Sequence, residues 1–209
     1  YGLAFAATGL LVAAGSLVRS WDPSTAQSRA ALELAPGPGP GFVFGGGRNA
    51  AAAVFGFDVT VAPGGSRVAV AASNGMVVVT AADLASPAGG DVVLPAAPGS
   101  FAASCAFVWA GPGAGAGDQL LAVSGGDGSC RVWDVRMPRE PWCALVGHAG
   151  PAYACAHLGA GLVATTGADK ALHVSALEGP APGAESVDGA GGAGGAAAPG
   201  PPPVPGGQR

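Results

Sequence analysis

Four residues of metal-ligating type, Cys143, His148, Cys155 and His157, follow one another in a C-x4-H-x6-C-x-H pattern. Thiolate and imidazole together are donors that suit zinc. The spacing is not one that zinc sites use, and strand alternation puts Cys155 and His157 on one face, as a packed pair. Gly45-Gly46-Gly47-Arg48 has glycines for a phosphate loop, yet no Lys-Ser/Thr ending and no capped helix follow it. The chain has three histidines and many serines but no Gly-x-Ser-x-Gly elbow. No catalytic residue, cofactor or metal is therefore nominated. Recognition is better supplied: Asp134, Arg136, Arg139, Glu140 and Trp142 fall in one short stretch. An Arg fork and a Trp are the side chains that anchor protein interfaces.

The elements that must position these residues are short strands. Residues 121–136, LAVSGGDGSCRVWDVR, read as two strands around the Asp127-Gly128 turn, ending in Trp133-Asp134. Asp169 stands six residues before Ser175, just as Asp127 stands six before Trp133. Testing for repetition before anything else extends the pattern over four units. The first has strands at 3–6, 10–13 and 17–22, the last ending in Trp21-Asp22. The second has strands at 57–61, 67–72 and 76–80, with Asn74 in the Asp position and Thr80 in the Trp position. The third has strands at 101–109, 119–124, 130–134 and 142–146, and the fourth at 152–157, 162–166 and 172–176. The Trp133-like positions are Trp21, Thr80, Trp133 and Ser175, so the interval shrinks from about sixty residues to about forty. Inserts of Gly, Pro and Ala at 36–41, 45–47 and 111–117 account for the longer intervals by extending loops.

These motifs resemble the WD-repeat family. The resemblance covers roughly residues 1–178 and is strongest from Leu120 onward. It implies an all-β fold of propeller-type, four-stranded antiparallel blades at about 1–45, 46–97, 98–146 and 147–178. In that family a His after Gly, a Ser or Thr on the second strand, the turn Asp and the third-strand Trp form one hydrogen-bonded chain. His148, Thr165 and Asp169 match most of it in the fourth unit, where Ser175 replaces the Trp. Asp127 and Trp133 match in the third, where Pro98-Gly99-Ser100 stands in place of Gly-His. A buried Asp needs donors, and imidazole and indole N–H groups supply them. The four units are fewer than such a ring normally holds, and the chain begins with Tyr rather than Met, so further blades are expected upstream of Tyr1, the alternatives being a ring completed by a partner or a degenerate propeller.

The function that the resemblance implies is a non-catalytic scaffold for other proteins. Trp133-Asp134-Val135-Arg136 also resembles the signature by which WD-repeat proteins dock on the adaptor of a cullin-type ubiquitin ligase, which gives the alternative of a substrate receptor. The competing reading of Asp134 and Arg136 is a surface pair of little energetic weight, and of Trp142 a residue packed at the start of the next strand.

Composition narrows the partners. Net charge is −4, 11% of residues are charged, and the nine Lys and Arg are scattered, so no basic stripe faces phosphates or an anionic membrane. The apolar run 3–18 is interrupted by Gly9, Gly15 and Ser16, too short to cross about 30 Å of hydrocarbon, and no basic region precedes it. Four cysteines without C-x-x-C spacing read as small buried thiols and fit an intracellular setting. Gly (38) and Pro (19) exceed a quarter of the chain and crowd into residues 179–209, whose lack of bulky apolar side chains predicts disorder. Within it, 199–205 reads as a linker or a polyproline ligand.

Overall fold

Three turns set the architecture. Asn74, Asp127 and Asp169 each accept a 3.1 Å hydrogen bond on a side-chain oxygen from the backbone N–H two residues on, at Met76, Ser129 and Ala171. This local bond substitutes for a ladder bond and folds the chain back on itself. The computed structural model describes residues 2–7, 9–34, 54–84, 91–109, 118–145 and 147–177. All regular structure among them is antiparallel β.

The first sheet holds β1 (Gly2–Ala6), β2 (Gly9–Ala14), β3 (Leu17–Asp22) and β4 (Gln27–Glu33), in that order. The second holds β5 (Gly56–Val61), β6 (Arg67–Ala72), β7 (Val77–Ala81) and β8 (Val92–Leu94). The third holds β9 (Ala102–Val108), β10 (Leu120–Gly125), β11 (Cys130–Asp134) and β12 (Cys143–Leu145). The fourth has three strands among the described residues: β13 (Ala152–Gly159), β14 (Leu162–Gly167) and β15 (Leu172–Ala176). Two strands, β4 and β8, are additional to those read from the sequence. The loop inserts 36–41, 45–47 and 111–117 and the tail 179–209 lie outside the described residues.

The first strand of each sheet packs against the first strand of the next, in the order β1, β5, β9, β13. Strand periodicity sends alternate side chains to opposite faces, so each middle sheet buries both of its faces. Leu11, Ala13 and Val18 of the first sheet meet Val59, Val68 and Val70 of the second. Ala69, Ala71, Val77 and Val79, from the other face of the second, meet Cys105, Phe107, Leu121, Val123 and Trp133 of the third. Val108, Leu120, Ala122, Cys130 and Val132 then meet Cys155 and Val163 of the fourth. Among the described residues β13 and β1 do not pack together as their neighbours do, so the four sheets form an arc. No described helix is long and apolar enough to cross a membrane.

Candidate functional site

The segment after β11 turns sharply because Asp134 caps it. One carboxylate oxygen accepts the Arg136 backbone N–H at 2.9 Å, and the Asp134 carbonyl accepts the Met137 N–H at 2.9 Å. The Arg136 side chain folds back on the same carboxylate, Nε at 2.9 Å from one oxygen and a terminal nitrogen at 2.6 Å from the other. This two-point bond from Arg136 holds the Asp134 carboxyl below the usual range and the guanidinium above it. The fork is thereby fixed in place. Asp22, which ends β3 as Asp134 ends β11, makes the same turn, accepting the Ser24 N–H at 2.9 Å and pairing with Arg29.

Arg136, Met137, Arg139, Glu140 and Trp142 surround a cavity of about 510 Å³ at the outer end of the third sheet. Met137 is 70% exposed. Trp142 is half-buried, its side chain packed against the cluster that joins the third and fourth sheets, and its backbone N–H donates to the Val132 carbonyl at 2.7 Å. The structure thus brings Asp134, Arg136, Arg139 and Trp142 to one place, with Trp142 as part of its floor. Met137 is an apolar lining residue that the sequence reading passed over, since a lone Met in a polar connection carries no signal.

The residues matched to the repeat motif divide into two groups. In the fourth sheet, His148 Nδ1 donates to Asp169 at 2.9 Å, and Nε2 accepts from the Thr165 hydroxyl at 3.0 Å. Asp169 also takes the Ala149 and Ala171 N–H groups at 3.1 Å each. Led by the Ala171 bond and aided by His148, these lower its carboxyl to about 2. In the third sheet Asp127 pairs instead with Ser129 and with Arg131 at 2.8 Å. Trp133 takes no part: its Nε1 is buried without a hydrogen-bond partner among the described residues. The position that would carry a histidine holds Ala97, whose N–H bonds the Gly75 carbonyl as the His148 N–H bonds that of Gly128.

The four metal-ligating types do not converge. His148 is engaged with Asp169 and Thr165, Cys155 faces the third sheet, Cys143 lies on its outer strand, and His157 meets the Trp109 ring edge to face, with the centroids 3.7 Å apart. His148, Asp169 and His173 offer ligand atoms within 4.8 Å of one another, but both nitrogens of His148 are already used. The thiols are free. Burial pushes that of Cys105 up, and a bond with Cys155 together with burial does so for Cys130, so both are kept neutral.

No protein-family model matches the sequence, and no curated protein does. Among solved structures, the β-propeller domain of Cps50 (Swd1) from Myceliophteria thermophila is similar at a TM-score of 0.59 and 15% identity, over 83% of this chain and 50% of that one. The fold is that of a β-propeller. The computationally designed protein Ika4 is similar at a TM-score of 0.57 and 16% identity, over 85% of this chain and 90% of its own. At such identities the likeness is one of fold, and this chain spans about half the length of the Swd1 domain. The sheets are blades, and the cavity beside Arg136 opens on the rim of the third.

Proposed function

We propose that this propeller arc is a non-catalytic platform that binds another protein at the rim of the third blade. The observation that carries the reading is the cavity of about 510 Å³ beside Arg136, in which a guanidinium fixed by Asp134, an exposed Met137 and a half-buried Trp142 converge. A pre-organised Arg and aromatic and Met surface on a rigid scaffold is the composition of an interface centre. Four free thiols fit a reducing, intracellular setting for it. The narrower reading, docking on a ubiquitin-ligase adaptor through Arg136, requires the guanidinium to leave Asp134, and no feature of the site favours that.

The test compares proteins retained by the wild-type chain with those retained by Met137→Asp and Arg139→Glu forms that keep the wild-type circular dichroism. Loss of one partner from both variants supports the rim site. Retention of all partners by both overturns it.

A further inference from the structure

The polar turns of the third and fourth blades are built alike and served by different cations. β14 and β15 repeat β10 and β11 at a constant offset, so Thr165, Asp169 and His173 stand where Val123, Asp127 and Arg131 stand in the third blade. There the Asp127 carboxylate pairs with Arg131 at 2.8 Å. In the fourth blade Asp169 is served instead by His148, whose position in the third is held by Ala97. The His173 imidazole is thereby left over. Neither of its nitrogens has a hydrogen-bond partner among the described residues, and its ring meets that of His148 edge to face with the centroids 4.4 Å apart.

Two imidazoles and a carboxylate thus gather at one turn, with a ligand atom of each lying within 4.8 Å of the other two. All three come from the fourth blade and its lead-in segment. Their side of that blade is the inner junction: His173 shares a face with Thr165, which is buried, and the matching face of the third blade is covered by the second.

We propose that His148, Asp169 and His173 form a zinc site, the ligands being His148 Nδ1, one Asp169 oxygen and one ring nitrogen of His173. Two imidazoles and a carboxylate, with the fourth position left to water, make a donor set that zinc takes.

The bonds that His148 already makes suit this use. Its Nδ1 lies 2.9 Å and 3.0 Å from the two Asp169 oxygens, with one proton between. Tetrahedral zinc ligands at about 2.0–2.1 Å stand about 3.4 Å apart, so the ion replaces that proton with a shift of about half an ångström. The imidazole stays neutral by carrying its proton on Nε2, 3.0 Å from the Thr165 hydroxyl, which turns from donor to acceptor. A zinc-bound histidine whose second nitrogen donates to a fixed oxygen is held in both tautomer and orientation. The Ala149 and Ala171 N–H groups hold the carboxylate in the same way. His173, restrained by no hydrogen bond, completes the set by turning its ring toward Asp169.

The experiment uses the full 209-residue chain, freed of any affinity tag and stripped with a chelator. Zinc chloride is titrated in a calorimeter, and cobalt(II) is followed by visible absorption. The wild type should bind one zinc per chain, its thermal midpoint should rise with zinc, and cobalt should give ligand-field bands with no thiolate charge-transfer band. His173→Arg supplies the residue that the third blade has at this position, and His173→Gln removes the imidazole without adding charge. Both should keep the wild-type circular dichroism and lose the uptake and the thermal shift. Cys143→Ser should keep both responses, which separates this site from the thiols of Cys143 and Cys155. No uptake by the wild type, uptake that survives both His173 variants, or a thiolate band each overturns the site.

Discussion

The carboxylate of Asp58, on the innermost strand of the second blade, accepts the Ser104 hydroxyl of the third at 2.7 Å and the Cys105 N–H at 3.1 Å. Ser104 in turn faces the fourth blade, where the Cys155 N–H approaches its hydroxyl at 3.5 Å. Non-directional apolar packing would let neighbouring blades slide, whereas these bonds fix where one inner strand sits against the next. Asp118, just before β10, does similar work, accepting the Gly64 N–H at 3.0 Å and the Ser66 hydroxyl at 2.9 Å from the β5–β6 turn of the second blade.

Asp58→Ala leaves the Ser104 hydroxyl and Cys105 N–H, both buried, without their acceptor. Each unsatisfied donor costs about 1–3 kcal/mol, so the variant should lose about 2–6 kcal/mol in urea unfolding. Asp58→Asn keeps one acceptor oxygen and should lose about half as much. Equal losses for the two variants would show that the position matters for packing alone.

The acid limb of stability should report on the turn at Asp169. Its carboxyl titrates at about 2 in the folded chain, against 3.8 without these bonds, because the Ala171 and Ala149 N–H groups and His148 favour the charged form. A lowered folded value stabilises the fold above pH 3.8, and that stabilisation disappears as pH falls from 3.8 toward 2. Thermal midpoints of an Asp169→Asn form should accordingly fall less steeply over this window than those of the wild type. Parallel curves for the two proteins would remove Asp169 from the acid response.

The turns at Asn74-Gly75 and Asp127-Gly128 were legible in the sequence because Asn or Asp followed by Gly is a local signal between apolar runs, and the one at Asp169-Lys170 because Asp169 stands six residues before Ser175 as Asp127 does before Trp133. The strands beside them were legible by alternation. β4 and β8 were not: Gln27–Glu33 is polar and largely exposed and Val92–Leu94 is three residues long, so pairing with β3 and β7 makes them strands. Asp58 escaped notice because its partners lie in another blade, although an Asp between Phe57 and Val59 in an apolar strand was a signal that could have been taken. The rim cavity was partly visible, through Arg136, Arg139 and Trp142, while the fixing of Arg136 by Asp134 depends on a turn geometry that residue types do not specify.

Trp133 separates packing from hydrogen bonding. The motif assigns its indole to a polar chain, yet the ring is 3% exposed, lies in the cluster between the second and third blades, and has an unpartnered Nε1. Trp133→Ala should cost about 3–5 kcal/mol by opening a cavity. Trp133→Phe removes the unsatisfied donor along with part of the ring, and the two effects oppose each other, so its cost should stay near about 1 kcal/mol. A Phe variant as unstable as the Ala variant would instead point to a hydrogen bond at Nε1.

The same turn position holds Gly75, Gly128 and Lys170 in successive blades, at φ of 79°, 83° and 63°. An L-residue in this left-handed region carries a steric cost of about 1–2 kcal/mol, part of which glycine gives back as chain entropy on folding. Lys170→Gly should therefore raise stability by about 0.5–1 kcal/mol. Gly128→Ala should lower it by more than about 1 kcal/mol, since the new methyl adds a clash with the His148 carbonyl oxygen to the backbone cost. The two effects come from one turn geometry in two settings, one with the next blade pressed against it and one without. Urea midpoints that moved in the same direction for both variants would break that link.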